Sequence, residues 1–154
     1  MELVTQYVLP VLFAFLCSAA FAVIYNVYGW GVLVCAFGGA LGWLAYLLSA
    51  PLLQSDIAQM FVAAAVISVY AEVMARVRKY PVTGYLMVAI LPLVPGGGIY
   101  YTMEYAINGE VDAVLTSFLH TLGLAGAIAV GVLLVSTAVR MWTIFLHRRK
   151  ERAS

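Results

Sequence analysis

The sequence predicts an all-α, polytopic membrane protein with five transmembrane helices, the fourth discontinuous at Pro92-Gly98. Composition is the first reason. Hydrophobic residues make up 65% of the 154 and charged residues 10%, with a mean hydropathy of +1.02. A soluble domain carries about 25% charged residues. The second reason is continuity. From Leu3 to Ser55 there is no Asp, Glu, Lys or Arg, which leaves room for two spans of roughly 20 residues each. A membrane β-barrel would instead show short alternating segments. The third reason is a helix-breaking run, Pro92-Leu93-Val94-Pro95-Gly96-Gly97-Gly98, inside an otherwise hydrophobic stretch. In lipid every backbone polar group must be satisfied within the protein, so such a run is expected only where protein or a water-filled cavity receives the freed groups.

The spans follow in order. Span one covers residues 7–25. It has Glu2 but no Lys or Arg ahead of it, so it lacks the positive flank of a cleaved signal and is expected to be retained. A turn at Asn26-Val27-Tyr28-Gly29 leads to span two, 31–49, which stops near Pro51. Span two carries a close-packing pair, Gly38 and Gly42, with Gly39 between them. The polar link Gln54-Ser55-Asp56 precedes span three, 57–75. A basic loop from Arg76 to Tyr80 ends at Pro81. Span four covers 82–107 and the acidic loop Asn108-Gly109-Glu110-Val111-Asp112 follows it. Span five covers 113–139, and a basic tail, 140–154, closes a single transmembrane domain, 1–154, with no soluble module and no convincing internal repeat.

Charge distribution orients this arrangement. Arg76, Arg78 and Lys79 form one cluster; His147, Arg148, Arg149, Lys150 and Arg152 form another. Five alternating spans put both clusters on one side and the acidic links on the other. Basic residues accumulate in cytoplasmic loops, so the N-terminus is expected outside and the C-terminus in the cytoplasm. Tyr25, Tyr28, Trp30, Tyr80 and Trp142 fall near the inner boundary, Trp43 and Tyr46 toward the outer one. The net charge of +1 and the absence of a basic soluble region give no support to nucleic-acid binding. Cys17 and Cys35 have no Cys-x-x-Cys context and read as small buried hydrophobes. No cluster suits a metal, no cofactor is implied, and no nucleophile has a base in reach, so an enzyme is not expected.

Residues 82–94 give roughly 20 Å of helix at 1.5 Å per residue, short of a core of about 30 Å. The second half adds roughly 15 Å, which places the break near mid-depth. Broken helices of this kind hold substrates and ions in transporters. A half-helix starting at Gly96 to Gly98 would present free N–H groups and a positive dipole end to a carboxylate, and glycine admits a ligand close to the backbone. Pro92, Pro95, Gly96, Gly97, Gly98, Tyr100, Tyr101 and Glu104 are therefore the candidate substrate-binding residues. The bland reading is a kink that only shapes packing. Tyr100 and Tyr101 share a side with Glu104. Glu104 is a proton-coupling candidate, or a partner for a substrate ammonium, or an interfacial carboxylate in water. His120 is a second candidate; it points to the small face Gly123, Ala127, Gly131, and a packing histidine is the alternative. Glu72 is the third, and its i+4 spacing to Arg76 favours a helix ion pair. Arg140 is expected to snorkel to the interface.

The segments Glu72-Val73-Met74-Ala75-Arg76-Val77-Arg78-Lys79-Tyr80-Pro81 and Ile90-Leu91-Pro92-Leu93-Val94-Pro95-Gly96-Gly97-Gly98-Ile99-Tyr100-Tyr101-Thr102-Met103 resemble the threonine/serine exporter (ThrE) family. Phe21 to Gly29, with Gly39 and Gly42 beyond, fits more loosely. The chain is similar to the short five-span members that correspond to the C-terminal half of the full-length exporter, a group that includes a subunit of a two-component succinate exporter. The resemblance implies a bacterial inner-membrane export subunit, coupling to the proton gradient, and a separately encoded partner of the N-terminal-half type. It does not choose between amino acids and dicarboxylates, and it carries over no catalytic residue. An odd span count independently suggests half of a two-bundle machine, hetero- or homo-oligomeric in the lipid. A passive channel and a non-transporting assembly subunit are the alternatives.

Overall fold

The computed structural model describes the backbone of residues 4–151 and the side chains of residues 5–145. The tail cluster His147, Arg148, Arg149, Lys150 and Arg152, and Glu2 at the other terminus, have side chains outside the described residues. All the described secondary structure is helical: α1 (Leu9–Ile24), α2 (Trp30–Ser49), α3 (Asp56–Arg78), α4 (Val82–Ile90), α5 (Gly96–Asn108) and α6 (Val111–Glu151). Four helical stretches, Thr5–Ile24, Trp30–Ser49, Asp56–Arg78 and Val111–Phe145, are long and apolar enough to cross a membrane. The pair Val82–Leu93 and Gly96–Asn108 passes the same test as one element bent by 49°.

Local chemistry explains the boundaries. Pro10 lacks an N–H and its ring crowds the preceding turn, and the chain meets it through a wide π-helical turn at Val4–Val8. Asn26 and Gly29 take positive φ between α1 and α2; these residue types tolerate that region best. The buried Gln59 side chain donates to the Leu53 carbonyl at 2.7 Å, satisfying the link into α3. The α3 helix ends in left-handed Lys79, just before Pro81. The α5 helix ends at Gly109, φ +77°, where the Glu110 N–H bonds back to the Tyr105 carbonyl in a Schellman-type closure.

The α2 helix is the hub. It packs on α1, α3 and α4, while α3 packs on α2, α4 and α6. The glycines of α2 point three ways. Gly39 lies against Ser18 and the Ala14 carbonyl of α1, Gly38 against Tyr70 and Ala89, and Gly42 against Ile67 and Leu93. Small residues let helix backbones approach where lipid supplies no hydrophobic driving force. Large apolar side chains such as Phe13, Leu16, Val23, Val73 and Leu133 face outward.

The register of α3 against α6 fixes the direction of the last span. Gly123 sits on Ile57, Gly131 on Phe61 and Ala64, and Arg76 Nη2 donates to Thr143 Oγ1 at 3.0 Å. The offset is nearly constant, so α6 runs parallel to α3. The bent pair therefore carries the chain from the basic end, at Arg76 to Lys79, back past the Asp56 end; it does not re-enter on the side it left. The α6 helix reaches the level of Ile57 only at Gly123. Its first dozen residues, about 18 Å at the helical rise, overhang the start of α3, and α5 packs on α6 with no comparable contact to another helix.

Packing partners locate the break along the bundle. Leu93 is buried with Met60, Ala63 and Ile67, in the first half of α3, and Gly98 lies against Thr121, two residues before the level of Ile57. The bend therefore lies level with the first half of α3. Beyond it α5 bends away by 49° and follows the α6 overhang.

Candidate functional site

The break has a direct steric cause. Pro92 and Pro95 each lack an N–H and crowd the carbonyl four residues back. Leu91–Leu93 tightens into a 3-10 turn. Val94, preceding a proline, is forced extended at φ −60°, ψ 126°. The helix restarts at Gly96 with no side chain capping its N-terminus, and the Gly96 N–H turns back to the Val94 carbonyl at 2.7 Å. The amides of Gly97 and Gly98 head the new helix.

The candidate residues divide between faces of α5. Gly97, Tyr100, Tyr101 and Glu104 lie on one side, as their spacing predicts. This side is exposed, Gly96 is open beside it, and the two tyrosine rings meet edge to face at 5.4 Å. Pro92 and Pro95 are half-buried. Pro95 belongs to the opposite face, where it lines a cavity of about 420 Å³ with Val94, Ile99, Met103, Phe118 and Leu122. That cavity is almost entirely apolar apart from the hydroxyls of Thr102 and Thr121. The structure thus sets Gly97, Tyr100, Tyr101 and Glu104 on one exposed face of α5 and the apolar cavity, with Gly98 against its Thr121 wall, on the other.

Gly98 is held by a hydroxyl cluster that single-span reading missed. Thr102 Oγ1 donates to the Gly98 carbonyl at 2.7 Å, lies 2.8 Å from Ser117 Oγ, and Ser117 Oγ is 3.4 Å from the same carbonyl. Two hydroxyl protons serve three contacts, so the two short ones dominate. Thr121, buried, donates to the Ser117 carbonyl at 2.7 Å. A methyl on Gly98 would collide with Thr121. The available signal was Thr102 facing Ser117 and Thr121 across a short acidic turn.

Glu104 is exposed. His120 is half-exposed beyond the first turn of α3, with Nε2 3.9 Å from Asp56 Oδ2. The small face below it packs on α3, a pairing the sequence did not name, and Asp56 is a partner that the sequence did not reveal. Glu72 pairs with Arg76 at 3.7 Å. Both line a second cavity, at the basic end, whose wall also includes Arg140. The interfacial reading of Arg140 omitted that wall.

The family model described as threonine/serine exporter, ThrE, matches residues 10–138. The chain belongs to the ThrE family. The match covers all the spans except the first residues of the first and the far end of α6, and includes the break, the hydroxyl cluster and Glu72. ThrE is a family of transporters, and a multi-pass helical membrane protein with a broken span fits it. No curated protein and no solved structure matches the chain significantly.

Proposed function

We propose that the chain is a subunit of a secondary exporter for small carboxylate-bearing metabolites, threonine or serine or a dicarboxylate such as succinate, driven by the proton gradient. Membership of a threonine/serine exporter family supports export. The observation that carries the role of the break is a bent span whose restarting helix opens with three uncapped glycines. A helix N-terminus of that kind favours a carboxylate. Glu104 and His120 are the groups proposed to exchange protons, His120 through its neighbour Asp56.

The open face Gly97-Tyr100-Tyr101-Glu104 supports a shared site. It is exposed among the described residues, and a separate subunit of the N-terminal-half type would close it. The proposed setting is the bacterial inner membrane, with the basic end cytoplasmic by the positive-inside tendency, the N-terminus outside and the C-terminus inside. Gly97→Leu tests the site, because among the described residues the side-chain atom nearest a Cβ there is Tyr101 Cε2 at 4.0 Å, so the fold has room. Efflux assayed in cells carrying the partner should fall at least tenfold with insertion unchanged; unaltered efflux removes the break from the substrate path. Collapse of the proton gradient in proteoliposomes should stop accumulation; flux that persists and does not saturate favours a channel.

A further inference from the structure

At the basic end the turn between α1 and α2 and the turn between α3 and α4 border a pocket of about 250 Å³. Asn26, Tyr28, Arg78, Tyr80 and Tyr85 supply its polar groups. They are donors arranged around one positive charge, and among the described residues no carboxylate lines the pocket. Arg78 has no ion-pair partner among those residues; Glu72, the nearest acid along α3, pairs with Arg76. Tyr28 donates its hydroxyl to Asn26 Oδ1 at 2.8 Å, which leaves the Asn26 amide protons for another acceptor. Tyr80 lies over Gly84, where a side chain would displace it, and its ring centroid is 5.0 Å from that of Tyr85. Tyr85 is only 3% exposed and still lines the pocket, and its hydroxyl has no hydrogen-bond partner among the described residues. A buried hydroxyl without a partner is destabilising, and an acceptor placed in the pocket relieves it. Two helices also begin here, α2 at Trp30 and α4 at Val82, neither with a side-chain cap. The carbonyl ends of α1 and α3 are by contrast closed by the Val27 and Tyr80 amides, which bond back to Ala22 and Ala75. The backbone therefore adds to the preference for an anion.

We infer that this pocket binds the phosphate of an anionic phospholipid head group. The Arg78 guanidinium matches two phosphate oxygens at once, and the Asn26 amide and the tyrosine hydroxyls offer further donors. Lys79, Tyr25, Tyr28 and Trp30 are exposed around the same turns, the composition of a membrane–water boundary. Val23, Ile24 and Val77, exposed on the adjoining ends of α1 and α3, give acyl chains an apolar surface to follow; a free phosphate would make no use of it. A choline or ethanolamine head group brings an ammonium that meets Arg78 and no carboxylate. Lipids of net negative charge are therefore preferred. The site is independent of the exported compound and of the broken span.

The test is titration of the full-length chain in detergent, read by native mass spectrometry, with dioctanoyl phosphatidylglycerol, dioctanoyl phosphatidylcholine and inorganic phosphate as probes. Wild type should bind phosphatidylglycerol at least tenfold more tightly than either of the others. Arg78→Gln, at an exposed position, should remove that preference, and Arg78→Lys should recover part of it. Arg140→Gln deletes the same charge at the same end of the bundle but outside the pocket, and should leave the affinity within twofold of wild type. Tyr85→Phe should weaken phosphatidylglycerol at least threefold without lowering the melting temperature measured in the absence of lipid, since no bond within the described residues is lost. Phosphatidylcholine bound as tightly as phosphatidylglycerol overturns the inference, and so does inorganic phosphate bound as tightly, which would mark a site for the free ion. Equal losses from Arg78→Gln and Arg140→Gln would reduce the effect to general surface charge and overturn it as well, as would an unchanged affinity in Tyr85→Phe.

Discussion

Gly98 and Gly96 sit two residues apart and experience opposite surroundings. A Cβ at Gly98 meets the buried Thr121 side chain, whereas one at Gly96 meets open space. Overpacking of a fitted contact costs typically 1–3 kcal/mol. Gly98→Ala is therefore expected to lower unfolding stability by about that much and Gly96→Ala to leave it within error, measured by thermal denaturation in detergent. Equal effects would dissolve the proposed α5–α6 contact. Ser18 makes the converse case. Its hydroxyl is buried against Gly39 with no hydrogen-bond partner among the described residues. A buried polar group without a partner destabilises by about 1–3 kcal/mol, so Ser18→Ala should be neutral or stabilising in the same measurement. Both effects depend on which helix stands opposite, and a single sequence gives no such pairing.

The broken span could be read from the sequence because its cause is local. Two prolines and the extended residue before the second act through their own backbone, whatever surrounds them. Replacing both, Pro92→Ala with Pro95→Ala, should let α4 and α5 straighten. Spin labels at Met87→Cys and Ile107→Cys, in a background without Cys17 and Cys35, should then report a longer separation by double electron–electron resonance, with export lost. An unchanged separation would mean that packing, and not proline, sets the bend. The side of α5 carrying Gly97, Tyr100, Tyr101 and Glu104 was equally legible, since helical spacing fixes angle. Its neighbour was not. Periodicity states which residues share a face; side-chain fit between helices decides what that face meets. Hence the pairing of Thr102 with Ser117 and of His120 with Asp56 leaves no signature in the periodicity of the sequence.

For the whole molecule the decisive relation is the parallel course of α3 and α6. Ile57→Cys with Gly123→Cys should cross-link under mild oxidation, because Gly123 faces Ile57 directly, while Ile57→Cys with Ile144→Cys should not. The reverse pattern would make the last helix antiparallel and reduce the number of crossings by one. Span number and the clustering of Arg76 to Lys79 at one end were available from charge and hydropathy alone; the α6 overhang was not, since hydropathy does not register how far two neighbours are shifted. Parallel α3 and α6 also bear on duplication. The first helix begins beside Leu44, near the Asp56 end, and the last finishes beyond Thr143 at the basic end. A second copy spliced directly onto the first would thus enter the bilayer upside down, and the fused product would be a pair of mutually inverted modules related by an axis lying in the plane of the membrane.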